Sequence, residues 1–543
     1  MMKSAGPPAS ARLLIWAALA ASCAWAQVIT SVQNPASNIL AAMGNYGIAQ
    51  GSIFVVYGSA MGPATISTAP GYPLQTSLSG TSVSVTSGGK AYSGFMVYAM
   101  STQVAAVMPS NVPVGKATVQ VSYNGTASPA FATTILSSGF GISTLNQTGA
   151  GRAVVTHPTA AAPFYALVSG ADSAKPGVTY TLWGTGLGAA NSDSSPATNG
   201  DLGTAVRLFV GGVSATVTYR GRSAQPGLDQ INFVVPPGVS GCNVSLTVQI
   251  GLIVSNTPSM PVAPAGGTCS DPAIPSSAGA AIQAAVQKGG ASVAQIAVIS
   301  QFSAQPPLPL PFTEASASFA QYTPSEYGLW SSAPSAGSCL VVQSAGFPST
   351  PPLTTVATVG AGLNAGPGLT VTPPSGASFP LTPAQGTGSY DYNIRSTVVC
   401  ETNCSLQPGS GEVSGIGGVN VGPFSFAVTV PSPPTWTNEA SLVGIDMFAG
   451  VTVTWSGGDP NGLTMVAGSS SAFKSAGISF ICAAPTSAGQ FTVPAYILLA
   501  IPPGSVGTLA VGSVAPAVPF TALGLDAGYA TVIIYNEEAV DYI

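Results

Sequence analysis

One sequence pattern occurs twice in the first half of the chain and limits the folds that the chain can adopt. Residues 50–62 read QGSIFVVYGSAMG, and residues 175–188 read KPGVTYTLWGTGLG. In each copy a glycine precedes an alternating run that ends on an aromatic residue, and a second glycine follows. Alternation bounded by glycine predicts a half-buried β-strand between turns. We interpret four glycines as structural turn residues: Gly51, Gly58, Gly177 and Gly184.

Further motifs recur in the same order after each copy. Residues 103–109 (QVAAVMP) correspond to residues 230–236 (QINFVVP), and VQV at 119–121 corresponds to VQI at 248–250. Several matches in one order indicate an internal duplication. Short strands separated by turn signals at this spacing are typical of a β-sandwich. The sequence therefore predicts an all-β protein that begins with two immunoglobulin-like β-sandwiches, residues 27–146 and 147–268.

The second half of the chain predicts a linker and a further β-rich region. Residues 269–311 combine an alanine-rich helix pattern that ends at Gln287 with the proline-rich run PPLPLP, which favours a stiff spacer. Residues 312–543 return to short strand patterns, and we expect one or two further β-sandwiches there. The apolar run at 495–501 is too short to cross a bilayer, so we predict a buried strand.

The composition supports a folded, weakly charged protein. Charged residues make up 5% of the 543 residues and apolar residues 46%, whereas disordered chains combine few apolar residues with high net charge. The formal net charge is -5, and the loss of Lys3 and Arg12 with a signal peptide would change it to -7. An acidic chain without a basic patch does not attract nucleic acid.

The first residues predict export. Lys3 and Arg12 precede or flank an apolar run at 13–21 that is too short to span a bilayer, and Ala24-Trp25-Ala26 fits a cleavage site. We therefore expect residues 1–26 to be a signal peptide and the protein to be secreted or at the cell surface. A lipoprotein modified at Cys23 is the alternative.

Six cysteines remain after the signal peptide, and an even number in an exported protein indicates disulfides. Six cysteines allow 15 pairings. The zinc alternative is weaker because the chain has one CxxxC pair and no histidine beside it. We favour three pairs: Cys242 with Cys269, Cys400 with Cys404, and Cys339 with Cys482.

The first half of the chain resembles known families. The motifs that carry the resemblance include Asn34-Pro35-Ala36-Ser37, Lys175-Pro176-Gly177 and Gln230-Ile231-Asn232. The glycine-turn and strand pattern resembles the IPT/TIG (E-set) sandwich, and residues 28–269 as a whole resemble the uncharacterised Solibacter-type secreted bacterial domain. The resemblance implies a tandem immunoglobulin-like extracellular module, and it implies no catalytic residues.

The sequence offers few groups for catalysis. His157 is the single histidine, and we interpret it as a loop residue because no acid neighbours it in sequence. Gly184-x-Gly186-x-Gly188 lacks the GxGxxG spacing, so we interpret it as a β-turn rather than a dinucleotide loop. A glycosidase needs two facing carboxylates, and we favour solvated loop acids for the four candidates of the last region. These are Asp391, Glu401, Glu412 and Asp446.

Two kinds of ligand site have weak support in the sequence. Asp193 and Asp201 belong to an oxygen-rich loop that could hold Ca²⁺, although the glycine and closing glutamate of a calcium loop are missing. Exposed aromatic rings could stack on sugars, and the candidates are Trp330, Tyr327 and Trp436. Trp455 lies in an alternating run, which predicts a core position. No other cofactor is indicated.

Three functional hypotheses follow from these observations. The leading one is a non-enzymatic exported protein that contacts an extracellular glycan or protein through its sandwich loops. The first alternative is a glycan-active hydrolase with its site in residues 312–543. The second is a purely structural component of the cell envelope.

Overall fold

The chain folds almost entirely into β-strands. The computed structural model describes residues 27–160, 164–270, 274–304, 313–323, 333–345, 360–375, 377–383, 389–393, 406–472, 476–502 and 504–543. Strands hold 51% of the residues and helices 5%, so the all-β prediction is confirmed. The predicted signal peptide and Cys23 lie outside the described residues.

The first sandwich consists of a five-stranded and a seven-stranded sheet. The five-stranded sheet has the order β1-β3-β9-β8-β4, and the main path of the other is β2-β12-β10-β6-β5. Apolar side chains of both sheets, such as Phe54 and Val119, form one core between them. The strands are β1 Val28–Gln33, β2 Ile48–Ala49, β3 Ile53–Ser59, β4 Ser67–Thr68, β5 Ser77–Leu78, β6 Thr81–Ser87, β7 Lys90–Ser93, β8 Phe95–Ala99, β9 Gln103–Val107, β10 Gly115–Tyr123, β11 Thr126–Ala127 and β12 Phe131–Leu136.

The second sandwich is built from ten strands, and one of them connects its two layers. The order is β15-β14-β16-β19-β18-β17-β20-β21, so β18 pairs with β19 in one layer and with β17 in the other. The strands are β13 Gly141–Ile142, β14 Val155–Pro158, β15 Tyr165–Leu167, β16 Thr179–Thr185, β17 Val206–Val210, β18 Val213–Arg222, β19 Asp229–Val234, β20 Gly241–Ile250, β21 Ile253–Val254 and β22 Ser259–Val262.

The two sandwiches pair their equivalent strands in the same register. Strand β3 pairs with β9 and places Tyr57 opposite Gln103, while β16 pairs with β19 and places Trp183 opposite Gln230. Both pairs are antiparallel. Strand β13 already belongs to the second sandwich because it pairs with β16, so this sandwich begins before residue 147.

The C-terminal part is organised around one sheet of fifteen strands, with the order β25-β36-β35-β38-β40-β23-β24-β29-β28-β27-β30-β31 along its main path. A separate three-stranded sheet has the order β32-β34-β37. The strands are β23 Ala291–Ala304, β24 Thr313–Tyr322, β25 Cys339–Ala345, β26 Ala361–Gly362, β27 Leu369–Thr372, β28 Phe379–Pro383, β29 Ser389–Asn393, β30 Gly409–Gly415, β31 Phe424–Val430, β32 Thr435–Trp436, β33 Gly444–Ile445, β34 Val451–Ser456, β35 Leu463–Ala472, β36 Ala476–Pro485, β37 Gln490–Val493, β38 Ser505–Val514, β39 Val518–Phe520 and β40 Ala527–Tyr542.

One face of this sheet carries two cores. In the first half of β40, Val532 and Ile534 pack with residues of β27 to β31, so the sheet folds back on itself as a sandwich. Near the end of β40, Val540 and Tyr542 pack with the three-stranded sheet. The opposite face is partly covered by helix α1, Ser276–Gln287, through Ile282 and its neighbours.

The linker interpretation of residues 269–311 is wrong for residues 291–304. These residues form β23, which pairs in parallel with β40 and antiparallel with β24 near the middle of the large sheet. Strand β23 is covered on both faces and therefore shows no alternation of apolar and polar residues. The apolar run at 495–501 is also not a strand, because its buried first turn is helix α2, Ala495–Leu498.

The front sandwiches and the C-terminal part share one hydrophobic core. Ile39 of the first sandwich and Phe209 of the second pack into the cluster that contains Tyr496 of α2 and Tyr542. The rings of Phe209 and Tyr496 stack with 4.0 Å between their centroids. Both rings are buried, so the three parts of the chain are in apolar contact.

Two disulfides join the pairs that the sequence interpretation favours. Cys242 pairs with Cys269 at the end of the second sandwich, and Cys339 of β25 pairs with Cys482 of β36. Cys339 and Cys482 lie directly opposite each other in the antiparallel register. The predicted pair Cys400 and Cys404 lies outside the described residues.

Replacement of Cys339 and Cys482 by serine should lower the free energy of unfolding by about 2–5 kcal/mol. The reason is that the disulfide closes a long loop, with a sequence separation of 143 residues, and loop closure restricts the unfolded chain. Urea unfolding of the oxidised protein and the variant measures the difference. The variant keeps the Cys242–Cys269 disulfide, so the loss of stability reports on Cys339–Cys482 alone. An unchanged unfolding midpoint would contradict the prediction.

Candidate functional site

A surface groove crosses one edge of the first sandwich. The loop at residues 69–76 connects β4, on the five-stranded sheet, to β5, on the seven-stranded sheet. Between this loop and β8 lies a groove of about 330 Å³. It is lined by Ala69, Pro70, Gly71, Tyr72, Pro73, Gln75, Ser77, Leu78 and Met96.

Backbone hydrogen bonds fix the loop that forms this groove. Ala69 N donates to Val97 O at 2.9 Å, and Met96 N donates to Gln75 O at 2.8 Å, so both sides of the loop are tied to β8. The Met96 side chain is fully buried, while Tyr72 is 49% exposed. The groove therefore has an apolar floor and an accessible aromatic wall.

The chemistry of the lining favours binding over catalysis. No carboxylate, imidazole, thiol or amine occurs among the groove residues, so the lining has no general base for neutral pH. Tyr72 and two prolines supply apolar surface, and Gln75 and Ser77 supply amide and hydroxyl groups. Such a surface suits a neutral ligand with both apolar and hydrogen-bonding faces.

The groove lies beside the contact between the two sandwiches. Leu74 N, in the groove loop, donates to Ser194 O of the second sandwich at 2.7 Å. Next to this bond, both carboxylate oxygens of Asp193 accept hydrogen bonds from Ser110, one from its backbone N at 2.7 Å and one from its hydroxyl at 2.6 Å. Asp193 therefore connects the two sandwiches through Ser110. The calcium interpretation had instead assigned its carboxylate to a metal site.

A buried ion pair supports the same contact from the second sandwich. Arg222 Nη1 lies 2.7 Å from Asp229 Oδ1, and both side chains are buried. The other Asp229 oxygen accepts hydrogen bonds from the backbone N of Gly186 and Leu187. Arg222 also donates to Gly188 O. The glycine-rich turn at residues 186–188 therefore binds the buried carboxylate of Asp229.

The stability of the protein should depend on pH through Asp229. Burial raises the pKa of Asp229 from 3.8 to about 6, against the opposing effects of Arg222 and the two backbone donors. Between pH 3.8 and about 6, Asp229 therefore carries a proton in the folded protein but is ionised in the unfolded chain. The stabilisation that this proton gives the folded state is complete below pH 3.8 and is lost as the pH rises through about 6.

We expect urea unfolding to show this contribution as a gain of about 2 kcal/mol for the wild type between pH 7.5 and pH 4.5, relative to Asp229→Asn, because pH 4.5 lies about 1.5 units below the pKa of folded Asp229. The comparison with Asp229→Asn removes the effect of the other titrating groups. Equal pH profiles for the two proteins would contradict the assignment to Asp229. Above about pH 6 the variant should also be less stable than the wild type, because there it removes the ionised carboxylate that pairs with buried Arg222.

Two of the four predicted turn glycines occupy strands instead. Gly58 lies in β3 and Gly184 in β16. A Cβ on Gly58 would lie 1.9 Å from Val28 O, and a Cβ on Gly184 would lie 2.1 Å from Gly141 O. The turn interpretation is therefore wrong for these two residues, because their glycines permit the close approach of β1 and β13.

The other two glycines, Gly51 and Gly177, do occupy turns with positive φ. Their backbone N atoms donate to Met108 O and Val235 O, respectively, so the two turns are equivalent. A Cβ on Gly51 would lie 2.6 Å from Arg222 Nη2 and 2.8 Å from Gly188 O, whereas a Cβ on Gly177 would meet no atom within 4 Å. Gly51 therefore also packs against the second sandwich.

Alanine at these two positions should separate backbone strain from packing between the sandwiches. Gly177→Ala should lower the free energy of unfolding by about 1 kcal/mol, because the alanine must adopt a positive φ but its methyl group meets no other atom. Gly51→Ala should cost about 1–3 kcal/mol more, since the new methyl group must displace Arg222 or Gly188. Denaturant unfolding of both variants measures the difference, and equal losses would show that the contact at Gly51 is unimportant.

The structure corrects the predicted aromatic site. Trp436 is 5% exposed and packs in the shared core, where its Nε1 donates to Asn438 Oδ1. It is therefore not a surface platform for sugars. Trp455 is also buried, as predicted. Trp330 and Tyr327 lie outside the described residues.

The structure does not bring the predicted acids together in the described part of the chain. Glu412 accepts a hydrogen bond from the hydroxyl of Ser425, and Asp446 accepts one from Phe448 N in its own turn. Asp201 accepts a bond from Gly203 N and lies 3.6 Å from Arg220 Nε. Only the backbone of Asp391, in β29, is described, and Glu401 lies outside the described residues. Among described residues, no group of three or more potential metal ligands occurs.

His157 lies in a strand and has an acidic partner, so the loop interpretation is wrong. It belongs to β14, and its Nε2 lies 2.9 Å from Asp172 Oδ2. The distance in sequence, 15 residues, hides this contact. The imidazole also makes an edge contact with the ring of Tyr180.

Sequence reasoning missed the Tyr72 groove. The signal that could have found it is Pro70-Gly71-Tyr72-Pro73, an aromatic residue between prolines in a segment without strand alternation. Such a loop cannot bury its aromatic ring in a sheet, so the ring is a candidate for contact with a ligand. In the described residues, no helix is both long and apolar enough to cross a bilayer.

Neither a protein-family model nor a curated protein matches the sequence. Among solved structures, the chain is similar to a tetra-tandem repeat from the extending region of a large adhesion protein, with 14% identity over 95% of this chain and 100% of that chain and a TM-score of 0.13. It is also similar to the Bacteroides ovatus mixed-linkage glucan utilization protein SGBP-B in complex with a heptasaccharide (11% identity, 76% and 88% coverage, TM-score 0.13) and to domains 5–6 of the S-layer protein SbsC (14%, 44% and 98%, TM-score 0.17). TM-scores this low carry no argument about function.

Proposed function

We propose that this protein is an exported, non-enzymatic protein that binds a neutral extracellular glycan in the Tyr72 groove. The observation that carries the proposal is the groove itself, because it combines an exposed aromatic ring with amide and hydroxyl groups and has no charged group. Sugars present the same combination, since their ring faces are apolar and their edges carry hydroxyl groups. Binding without acid–base chemistry fits this lining.

Three further features support an extracellular site of action. The two disulfides are typical of oxidising compartments. The N-terminal sequence has the pattern of a signal peptide. The resemblance of residues 28–269 to the Solibacter-type secreted domain agrees with both. We therefore propose secretion or display at the cell surface, with adhesion or matrix contact as the biological role.

The contact between the sandwiches gives the groove a rigid support. The groove loop is held to β8 on one side and to Ser194 of the second sandwich on the other. Asp193 and Ser110 lie beside it. A preformed loop loses little conformational freedom when a ligand binds, which favours affinity.

Replacement of Tyr72 by alanine should weaken glycan binding about tenfold or more, because it removes the aromatic surface on which a sugar ring can stack. Affinity electrophoresis and a glycan array with the purified secreted protein first identify the polysaccharide, and titration then gives the affinity. Tyr165→Ala is the matched control, since Tyr165 is 58% exposed on β15 of the second sandwich.

Three results would contradict the proposal. The first is binding that is equally weakened by both tyrosine variants, and the second is binding that survives Tyr72→Ala. The third is release of reducing sugar that depends on Glu412 or Asp446, which would favour the hydrolase alternative. Absence of binding to every glycan, together with ordered self-association, would favour the structural alternative.

A further inference from the structure

Three loops at one end of the large sheet form an exposed apolar surface. We use the name apolar tip for residues 364–366, 416–423 and 522–525. Val419 is 89% exposed, Leu523 is 82% exposed and Ile416 is 75% exposed. These are the three highest exposures among the large hydrophobic side chains of the described residues. Exposure this high is unusual for three aliphatic side chains on contacting loops, because water penalises apolar surface.

The apolar tip is held in shape by hydrogen bonds between its loops. Asn364 N donates to Asn420 Oδ1 at 2.9 Å, and Asn420 N and Val421 N donate to Asn364 O at 3.1 and 3.2 Å. Gly422 N donates to Leu523 O at 2.8 Å and joins the third loop. The aliphatic side chains therefore stand on a fixed framework, and binding need not order the loops.

The apolar tip contains no charged residue. Its three segments read NAG, IGGVNVGP and ALGL. The nearest acid in sequence is Asp526, and its carboxylate accepts a hydrogen bond from Ser292 N. Transfer of the tip side chains to an apolar environment therefore desolvates no charge on the tip itself, and desolvation of a charge is the largest obstacle to such a transfer.

The position of the tip leaves it available to a partner outside the chain. The third loop of the tip directly precedes β40, and β40 is 16 residues long, so its two ends are about 50 Å apart. The front sandwiches pack into the core that contains Tyr542, at the other end of β40. The second sandwich also contacts helix α1, which packs on Ala527 and Tyr529 at the start of β40. The three side chains of the tip nevertheless remain 75–89% exposed in the part of the chain that the structure describes.

We propose that the apolar tip inserts into the surface of a lipid bilayer with neutral or zwitterionic headgroups. Side chains that are 75–89% exposed protrude from their surroundings, and a fluid bilayer can close around a protrusion without a matching cavity. Arginine is enriched at the centre of protein interfaces, and the tip has none. The acidic net charge opposes binding to anionic lipids. The proposal is independent of the glycan groove.

Co-sedimentation of the full secreted protein with phosphatidylcholine vesicles tests this proposal. The wild type should bind, and added salt should not release it, because the attraction is apolar. The triple variant Ile416→Ser, Val419→Ser and Leu523→Ser should lower the partition coefficient at least about tenfold. Tyr72→Ala should bind vesicles as the wild type does.

A matched control exists at the opposite end of β40. Val443, Val506 and Ile543 are 66%, 69% and 63% exposed, and the serine triple variant at these positions removes similar aliphatic surface. It should retain vesicle binding. Circular dichroism and thermal unfolding confirm that both triple variants fold.

A second variant reports insertion directly. Val419→Trp places a fluorescent ring at the tip, and brominated phosphatidylcholine should quench its fluorescence beyond the quenching of the wild type. Unchanged quenching, equal binding of the two triple variants, or binding that salt abolishes would overturn the proposal. Self-association that the tip variant removes, without vesicle binding, would also overturn it and would identify a second copy as the partner.

Discussion

The packing of apolar sheet faces against one another is the constraint on which the rest of this structure depends. With 5% charged residues the chain has few ion pairs to position its parts, and the described residues contain three. The shared core instead connects the front sandwiches with the large sheet through Ile39, Phe209 and Tyr496. Burial of these side chains is favourable only when all three parts are folded, so the parts support one another.

This shared core has a consequence for function. It fixes the first sandwich, which carries the Tyr72 groove, against the end of the large sheet that contains Tyr542. The apolar tip precedes the first residue of β40, and Tyr542 lies at the other end of that strand. A protein with both a glycan site and a lipid-binding tip would connect a surface polymer to a membrane, and the two proposals together describe such a connection.

Much of the front half could be predicted because its information is local. The alternation in β3 and β16 gives the strands, and the repeated order of motifs gives the duplication. The structure adds the register, in which Tyr57 lies opposite Gln103 and Trp183 opposite Gln230. The central strands of the C-terminal part were missed. Strand β23 is covered on both faces, and seven of its fourteen residues are alanine or serine, so neither alternation nor β propensity marks it. Strand β40 contains the continuous apolar run VIIY at 532–535, which does not alternate. Trp436 was misjudged because one aromatic residue in a short strand does not reveal which side is buried.

The sequence by itself determined the class of fold, the duplication of the first unit and the expectation of disulfides, because strand period, repeat order and the even number of cysteines are properties of the chain read along its length. The structure selected the pairs Cys242–Cys269 and Cys339–Cys482 among the 15 possible pairings. Only the tertiary structure decided that Asp193 binds Ser110, that Asp229 pairs with Arg222 inside a glycine-rich turn, and that Gly58 admits a neighbouring strand. These outcomes depend on contacts between segments that are distant in sequence. The partner of a polar group is set by which segments the cores bring together, and no local pattern carries that information.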